Sequence, residues 1–262
     1  MAKSCTLLLV FVAYHPSGEE VDNLQSCLST LSSEIRYAVV VNDYHQGEPV
    51  DRLQAKAEYW LANADNPGYG RAVNRLTASL EVFPEYLGVL NTDLSWQQGT
   101  FSALLSWLEM HPDVALAAPQ IIDENRSVQK LCKRNPTILG LFSRRFVPDW
   151  LKPQWLKRYD RWYVMSDQDY FQPFDVPYLS GCCMLMRSDS FLKAGGFDER
   201  YFLYLEDADL TRSLRREGRC VHLPIAEVVH SWGRGNYRNL RLMIVNLASS
   251  WHYFQKWGWV LW

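Results

Sequence analysis

The first half of the chain alternates continuous apolar runs with amphipathic stretches. The runs at residues 5–14 and 35–41 are typical of strands that are buried on both faces of a parallel sheet. Between them, residues 19–31 repeat apolar side chains at helical spacing, which predicts a helix, and residues 50–60 predict a second one. This β-α-β-α order indicates an α/β fold with a doubly wound, mostly parallel sheet flanked by helices.

The same alternation continues along the chain as far as Pro119. We predict a short strand at residues 59–62, a helix at 71–82, a strand at 86–90, a helix at 97–110 and a strand at 114–118. The carboxyl ends of parallel strands share one edge of a sheet, and open α/β sheets bind their ligands there. Polar residues that follow these strands are therefore expected to converge.

The regular pattern is lost between residues 120 and 175, where basic residues, prolines and aromatic side chains are scattered. We interpret this stretch as an insertion or lid within one domain that spans residues 1–235. Regular elements return afterwards, and we predict a strand at 176–186, a helix at 188–194, a helix within 201–218, and strands at 219–223 and 227–231.

The C-terminal part, residues 236–262, is predicted to begin as a helix and to end in the aromatic sequence WHYFQKWGWVLW. This ending is too short to span a bilayer, but aromatic side chains with a lysine suit the membrane interface. Two alternatives remain open: the tail packs on the domain, or it forms a homodimer contact.

Composition narrows the class of protein. A chain of 262 residues that is 48% hydrophobic permits one large α/β domain. Its net charge of −2 provides no basic footprint, so nucleic acid is not an expected partner. The six cysteines form no C-x-x-C pair and the first apolar run shows no signal-peptide cleavage site, so we expect reduced thiols in the cytoplasm.

A carboxylate, Asp93, follows the apolar run at 86–90 through Asn91 and Thr92. At a strand end beside short polar side chains, such a carboxylate can bind Mg²⁺ or Mn²⁺ and leave positions open for phosphate oxygens. The alternative is that Asp93 caps the helix predicted from residue 97. His230 also ends an apolar run, and it becomes a candidate ligand only if Asp93 lies nearby.

Residues 201–218 (YFLYLEDADLTRSLRREG) contain acids at the start of a predicted helix and arginines near its end. That distribution by itself suits the helix dipole. A carboxylate at the helix start, Glu206 or Asp207, can also act as a general base toward a hydroxyl nucleophile. Together with Asp93, this second acidic element suggests one site that holds both a metal and a base. No Walker sequence, no G-x-G-x-x-G and no G-x-S-x-G is present.

Several short motifs in a fixed order span residues 7–232: the opening strand, residues 66–74 (NPGYGRAVN), 90–93 (LNTD), 181–187 (GCCMLMR), 195–202 (GGFDERYF), 206–210 (EDADL), Arg212 and His230. In these motifs the chain resembles the family 2 glycosyltransferases, which have a GT-A fold with a Rossmann-like sheet. More narrowly, it resembles the bacterial rhamnosyltransferases that use polyprenyl-diphosphate-linked acceptors.

This resemblance implies roles in catalysis and metal binding. Asp93 would bind Mg²⁺ or Mn²⁺ on the donor diphosphate, and Asn91 occupies the position of the first acid in the family's D-x-D-like motif. His230 would complete the metal or diphosphate site. Asp207 would be the catalytic base, with Glu206 as its rival.

The resemblance also implies substrate contacts. The residues expected on the nucleotide side are Tyr14, Asp43, Asn66, Gly68, Asn74 and Asn91. Gly181 and Arg212 are expected on the acceptor side, where the small glycine would let the acceptor sugar approach.

From the resemblance we expect a metal-dependent inverting transfer of L-rhamnose from dTDP-L-rhamnose to a polyprenyl-diphosphate-linked sugar, in the synthesis of O-antigen or another cell-surface polysaccharide. The enzyme would work at the cytoplasmic face of the inner membrane as a peripheral protein. Two alternatives stay open: a UDP-sugar donor on the same fold, or a catalytically silent scaffold subunit that binds a nucleotide sugar.

Overall fold

The apolar runs of the sequence form the central strands of one sheet in the computed structural model, which describes residues 5–231 and 240–262. The strands are β1 (Leu7–Ala13), β2 (Ile35–Val41), β3 (Tyr59–Ala62), β4 (Tyr86–Asn91), β5 (Leu94–Trp96), β6 (Val114–Ile122), β7 (Phe174–Asp175), β8 (Cys183–Arg187) and β9 (Arg219–His230). Their order across the sheet is β3-β2-β1-β4-β8-β6-β9-β5, and β7 pairs with β9.

Helices cover both faces of this sheet. They are α1 (Gly18–Leu28), α2 (Tyr69–Ala78), α3 (Thr100–Met110), α4 (Ile138–Phe146), α5 (Gln154–Tyr163), α6 (Ser188–Lys193), α7 (Glu206–Leu214) and α8 (Leu240–Trp257), with a 3₁₀ helix at Pro49–Lys56. The α/β fold with a central sheet flanked by helices is therefore confirmed.

Strand β1 shows why two apolar layers form. Its alternate side chains point to opposite faces because a strand has a period of two. Leu9 and Phe11 pack with α1 and α3 on one face, and Leu8 and Val10 pack with α2 and α7 on the other. All four side chains are buried, which explains why the strand reads as a continuous apolar run.

The prediction of a mostly parallel sheet holds from β3 to β4 but not for the sheet as a whole. The pairs β1–β2, β2–β3, β1–β4 and β6–β9 are parallel. The other four pairs of the described sheet are antiparallel, because β8 runs between β4 and β6 in the opposite direction and β5 and β7 run against β9. A strand that is buried on both faces has the same apolar pattern in either direction, so the sequence did not reveal this reversal.

Several predicted boundaries were wrong. Strand β6 continues through Pro119 to Ile122, because a register shift between Pro119 and Gln120 accommodates the proline. The strand predicted at 176–186 begins only at Cys183. The two strands predicted at 219–231 are one, β9. The helix predicted at 50–60 is the shorter 3₁₀ helix.

The stretch at 120–175 is more ordered than its sequence pattern suggested. It contains α4, α5 and β7, and β7 extends the main sheet beside β9. The predicted domain boundary between residues 235 and 236 lies outside the described residues.

The C-terminal helix α8 packs on the domain through Ser249, Tyr253 and Phe254. Beyond it, the backbone N–H groups of Ile138 and Leu139, at the start of α4, donate to carbonyls of the final residues at 2.9 Å. The tail therefore packs on the domain, while Trp259 and Trp262 remain exposed. In the described part of the chain, no helix has the length and apolar character needed to cross a membrane.

Candidate active site

Sharp turns follow β1 and β2 at the carboxyl edge of the sheet. His15 and Asp43 adopt left-handed backbone angles there, with φ of 47° and 55°. His15 Nδ1 lies 2.6 Å from Glu48 Oε1, and His15 Nε2 lies 3.2 Å from Asp43 Oδ2. Both hydrogen bonds raise the pKa of His15, and the bond to Glu48 has the larger effect. Tyr14 is more than half exposed beside this cluster.

The loop before α2 joins this edge to the second half of the molecule. Asn66 Oδ1 accepts from the backbone N–H of Gly68 at 3.0 Å. Gly68 has φ of 92°, and a Cβ there would lie 2.2 Å from the carbonyl oxygen of Phe202. Only glycine can adopt this backbone angle and also leave room for the carbonyl of Phe202. The Tyr69 hydroxyl then donates to the carbonyl of Gly181 at 3.0 Å.

The structure brings Asp93 and His230 together. Strand β5 follows Asp93 directly and pairs with the end of β9, which places Leu94 opposite His230. Asp93 Oδ2 lies 3.2 Å from His230 Nε2. Asp93 does not cap a helix, because α3 begins at Thr100 after Gly99. The capping alternative is thus excluded, and the condition that made His230 a candidate is met.

The surroundings of this pair fit a divalent cation. Gln129 Nε2 donates to the carbonyl of His230 at 2.9 Å, so Gln129 Oε1 is left to accept from His230 Nδ1 at 3.2 Å. A neutral imidazole held this way turns its Nε2 lone pair toward the Asp93 carboxylate, and two acceptors at this distance require a proton or a cation between them. Asp93 Oδ1 is buried without a hydrogen-bond partner, and such an orphaned oxygen suits a metal ligand.

The second acidic element lies at the start of α7. Tyr204 and Leu205 precede it with left-handed φ values of 71° and 65°, a strained turn of the kind that clusters at functional sites. Asp207 Oδ2 accepts from the backbone N–H of Gly181 at 2.9 Å, and its Oδ1 accepts from that of Ala208 at 2.9 Å. A Cβ on Gly181 would lie 3.1 Å from the Asp207 Cβ, so a larger residue there would have to displace Asp207 slightly.

Glu206 and Asp207 differ in environment although they are neighbours in sequence. Glu206 is buried, whereas Asp207 is partly exposed. Burial, and secondly the charge of Asp207, raises the pKa of Glu206 to about 8. At neutral pH Glu206 therefore holds a proton, and Asp207 is the better placed of the two to accept one.

One short backbone segment connects the two acidic elements. The backbone N–H of Asn91, at the end of β4, donates to the carbonyl of Cys182 at 3.0 Å. Burial raises the pKa of the Cys182 thiol to about 12, and the charges of Asp93 and Asp207 both add to this effect. The charges of Asp93 and Asp207 therefore both reach the segment 181–182, which places the metal and base candidates in the same region of the molecule.

Two further side chains of this site were not predicted. Gln129 orients His230, and Tyr178 lies beside Asp207 and interacts with it electrostatically. Lys133, one of the scattered basic residues of the stretch at 120–175, donates to the Tyr178 hydroxyl at 3.3 Å. Burial lowers the pKa of Lys133, although Asp207 opposes that shift. Gln129 and Lys133 come from the irregular stretch at 120–175, and no local pattern distinguishes them there.

Asn74 and Arg212, predicted to contact the substrates, also make contacts within the chain. The Asn74 side-chain amide donates to the carbonyl of Phe197 and accepts from its N–H, at 2.8 and 3.0 Å. Arg212 donates to the Tyr253 hydroxyl at 3.1 Å and lies 4.6 Å from the centre of the Trp257 ring. Their contacts stabilise a turn and the packing of α8.

Comparison of folds identifies the class of protein. The chain superposes on GalNAc-T7, determined with UDP, GalNAc and Mn²⁺, with a TM-score of 0.66 at 13% identity, covering 97% of this chain and 48% of that one. It superposes on the mannosyltransferase PcManGT from Pyrobaculum calidifontis, determined with GDP-Man and Mn²⁺, with a TM-score of 0.62 at 14% identity, covering 96% of this chain and 63% of that one. The fold is that of the GT-A glycosyltransferases.

Sequence comparison gives the family. No family model matches the chain. It is 32% identical over 242 residues to the N-acetylglucosaminyl-diphospho-decaprenol L-rhamnosyltransferase of Mycobacterium tuberculosis, in both strains compared, covering 86% of this chain and 75% of the relative. This chain belongs to the family 2 glycosyltransferases, in the rhamnosyltransferase branch, as its motifs indicated.

Proposed function

We propose that this chain transfers L-rhamnose from dTDP-L-rhamnose to a polyprenyl-diphosphate-linked sugar, with inversion at the anomeric carbon and with Mg²⁺ or Mn²⁺ bound. The observation that carries the proposal is the pair of carboxylates, Asp93 and Asp207, which both lie near the segment 181–182. The name of the mycobacterial relative, which specifies rhamnose and a diphospho-decaprenol acceptor for that protein, supports the choice of substrates.

In this proposal Asp207 is the catalytic base. Two backbone N–H groups hold its carboxylate, and Glu206 beside it stays protonated at neutral pH. Asp207 accepts the proton of an acceptor hydroxyl while that oxygen forms a bond to the anomeric carbon. The bond from this carbon to the nucleoside diphosphate breaks on the opposite face, and its electron pair leaves with the diphosphate.

Asp93 and His230 would hold the metal ion. The buried unpartnered oxygen of Asp93 and the imidazole lone pair beside it are the donors. When bound, the ion supplies positive charge that offsets the charge of the leaving diphosphate. Gln129 keeps the His230 ring in the required orientation.

The remaining predicted residues divide between the two substrates. Tyr14, Asp43, Asn66 and Gly68 lie at the edge formed after β1, β2 and β3, on the side we assign to the nucleotide. Gly181, next to Asp207, lies on the side we assign to the acceptor sugar. We infer that the enzyme works as a peripheral protein at the cytoplasmic face of the inner membrane, because exposed aromatic side chains of the tail suit a bilayer interface.

Calorimetric titration with dTDP, UDP and GDP, each with and without Mn²⁺, tests the donor. Metal-dependent binding of dTDP alone supports the proposal, and transfer from dTDP-L-rhamnose to a synthetic polyprenyl-diphosphate-linked N-acetylglucosamine completes the test. Preferential binding of UDP would instead indicate a UDP-sugar donor. No binding of any nucleotide by the folded protein would overturn the proposal.

A further inference from the structure

Three side chains with metal-binding atoms meet where the turn after β1 approaches the turn after β2. His15 comes from the first turn, and His45 and Glu48 come from the second. His15 Nδ1 lies 2.6 Å from Glu48 Oε1, and His45 Nδ1 lies 3.8 Å from the same oxygen. One ligand atom from each of the three residues lies within 4.8 Å of the other two. We call these residues the His-His-Glu set.

The backbone of the two turns brings the set together. His15 and Gly47 have left-handed φ values of 47° and 94°, which sharpen the turns. The backbone N–H of Glu48 donates to the carbonyl of His45 at 3.4 Å, and the 3₁₀ helix begins directly afterwards at Pro49. The two imidazole rings stack, with 5.9 Å between their centres and 28° between their planes. The set is therefore built from two segments that the parallel pairing of β1 with β2 places side by side.

The carboxylates at this place lack a strong cationic partner. Asp43 Oδ2 lies 3.2 Å from His15 Nε2. Within the described part of the chain, Asp43 and Glu48 form ion pairs with histidines only, and with no lysine or arginine. Glu48 Oε2 is buried without a hydrogen-bond partner. A buried carboxylate oxygen is costly unless it accepts a hydrogen bond or binds a cation, so the set favours an added positive ion.

The contact between His15 and Asp43 is typical of a histidine that binds a metal. Such a histidine usually donates the N–H of its other ring nitrogen to a carboxylate, which orients the ring. His15 has this arrangement, because its Nδ1 faces Glu48 while its Nε2 faces Asp43. In a tetrahedral zinc site, metal–ligand bonds of 2.0–2.2 Å place the ligand atoms about 3.4 Å apart. The distances of 2.6 and 3.8 Å from Glu48 Oε1 lie on either side of this value, so small side-chain rotations suffice.

The donor atoms select the class of metal. Two imidazole nitrogens and one carboxylate suit a transition metal such as Zn²⁺, whereas Mg²⁺ prefers oxygen ligands alone. Sites with this composition of two histidines and a glutamate bind zinc through three protein ligands and leave the fourth position to water.

We propose that His15, His45 and Glu48 bind a Zn²⁺ ion and that Asp43 orients the His15 ring. In the bound form His15 Nδ1 and a Glu48 oxygen contact the ion instead of each other. The ion then joins the turn after β1 to the turn after β2. These turns also carry Tyr14 and Asp43, which we assign to the nucleotide side, but the zinc site rests on its donor atoms and not on the proposed transfer of rhamnose.

Calorimetric titration of the metal-free full chain with Zn²⁺, Mn²⁺ and Mg²⁺, in the absence of nucleotide, tests this site. His45→Ala and Glu48→Gln each change one ligand, and Asp43→Asn changes only the orienting partner. His230→Ala removes a ligand from the other candidate metal site. His111→Ala, at the end of α3, is the matched control for the loss of a histidine.

We expect the parent to bind Zn²⁺ at least about tenfold more tightly than Mn²⁺, as nitrogen ligands favour zinc. His45→Ala and Glu48→Gln should weaken Zn²⁺ binding by more than about 100-fold, because losing a ligand exceeds the 10- to 100-fold effect of an outer partner. Asp43→Asn should weaken it by about tenfold. His230→Ala and His111→Ala should bind Zn²⁺ as the parent does.

Two results would overturn the zinc site. One is unchanged Zn²⁺ binding by both His45→Ala and Glu48→Gln, and the other is a loss confined to His230→Ala. X-ray absorption of the zinc-loaded parent provides a second measurement, in which two imidazole ligands support the site and none contradicts it. Failure of the dTDP-L-rhamnose assignment would leave these results intact, because the probe is the metal alone.

Discussion

At the scale of single residues, the site depends on environments that differ between neighbours. Asp207 accepts two backbone N–H groups and is partly exposed, whereas Glu206 is buried with Oε2 unpartnered. Burial penalises the charged form of a carboxyl, so the pKa of the buried Glu206 is raised to about 8. This difference supports our proposal that Asp207 is the base.

Replacing Asp207 with asparagine should therefore remove proton acceptance and keep the shape of the site. We expect transfer to fall by about 10²- to 10⁴-fold, the usual contribution of a general base, with dTDP affinity unchanged. Rate measurements at saturating donor, together with calorimetry, check this. The isosteric change Glu206→Gln is the control. A larger rate loss in that control than in Asp207→Asn would reverse the assignment.

The raised pKa of Glu206 predicts a pH dependence of stability. Between its ordinary pKa of 4.5 and about 8, the folded protein binds a proton at Glu206 that the unfolded chain has released. The free energy of unfolding should therefore fall as pH rises across this range, by about 1.4 kcal/mol per pH unit.

The side chain of Glu206→Gln cannot ionise, so this variant should lose the decrease in the free energy of unfolding with rising pH. Urea unfolding of both proteins at several pH values between about 5 and 8 measures it. Parallel pH profiles for the parent and the variant would contradict a buried, protonated Glu206.

Gly68 and Gly47 offer a matched comparison of backbone strain and steric approach. Both have left-handed φ, 92° and 94°, but only Gly68 faces another group, the carbonyl of Phe202. Gly47→Ala should cost about 1 kcal/mol of stability, from the backbone angle alone. Gly68→Ala should cost about 3 kcal/mol, because the loop must also move away from Phe202. If thermal unfolding showed equal losses of stability for the two variants, the close contact with Phe202 would be unimportant.

At the scale of elements, α7 has two functional faces. Its first turn carries Glu206 and Asp207 into the site. Its other face binds α8, where buried Asp209 accepts from Lys256 at 2.8 Å and from the Trp257 indole at 2.7 Å. Arg212 adds its contacts with α8 on the same face. The helix that carries the proposed base is thereby fixed by the C-terminal helix.

The pair Asp209–Lys256 should respond asymmetrically to mutation. Its carboxylate is 3% exposed and its ammonium 30% exposed. Lys256→Met leaves a buried charge without its cation and should cost about 3 kcal/mol. Asp209→Asn leaves a lysine that can reach water and should cost about 1 kcal/mol. Urea unfolding measures both, with the exposed Lys193→Met as control. A smaller loss for Lys256→Met than for Asp209→Asn would contradict this account.

At the scale of the whole molecule, the site is assembled from segments far apart in sequence. The metal candidates come from the β4–β5 turn and the end of β9, which the antiparallel β5–β9 pair brings together. Gln129 reaches His230 from the stretch at 120–175 across 101 positions of sequence. A side chain from the irregular stretch thus completes the site that is formed at the ends of the regular strands.

Metal binding tests this assembly. His230→Ala should weaken Mn²⁺ binding in the presence of dTDP by about 10- to 100-fold, and Gln129→Ala should produce a smaller loss through ring orientation. A second set of donors, His15, His45 and Glu48, lies within 4.8 Å of one another. His45→Ala is therefore the control in the calorimetric titration. If only that control lost Mn²⁺ binding, the ion would lie at the second set.

The sequence by itself determined the strands β1, β2 and β4, the position of Asp93 at a strand end, and the two acidic elements. These features are local, since continuous apolar runs and residue spacing encode burial and period. Family motifs added the fold and the glycosyltransferase class, which the comparisons confirm.

Only the tertiary structure decided the direction of β8, the partners of Asp209 and Arg212, and the entry of Gln129 and Tyr178 into the site. It also gave Glu206 and Asp207 different environments, because burial depends on what packs around a side chain rather than on its neighbours in sequence. Strand direction and side-chain partners arise from contacts between distant segments, and one local pattern is compatible with several of them.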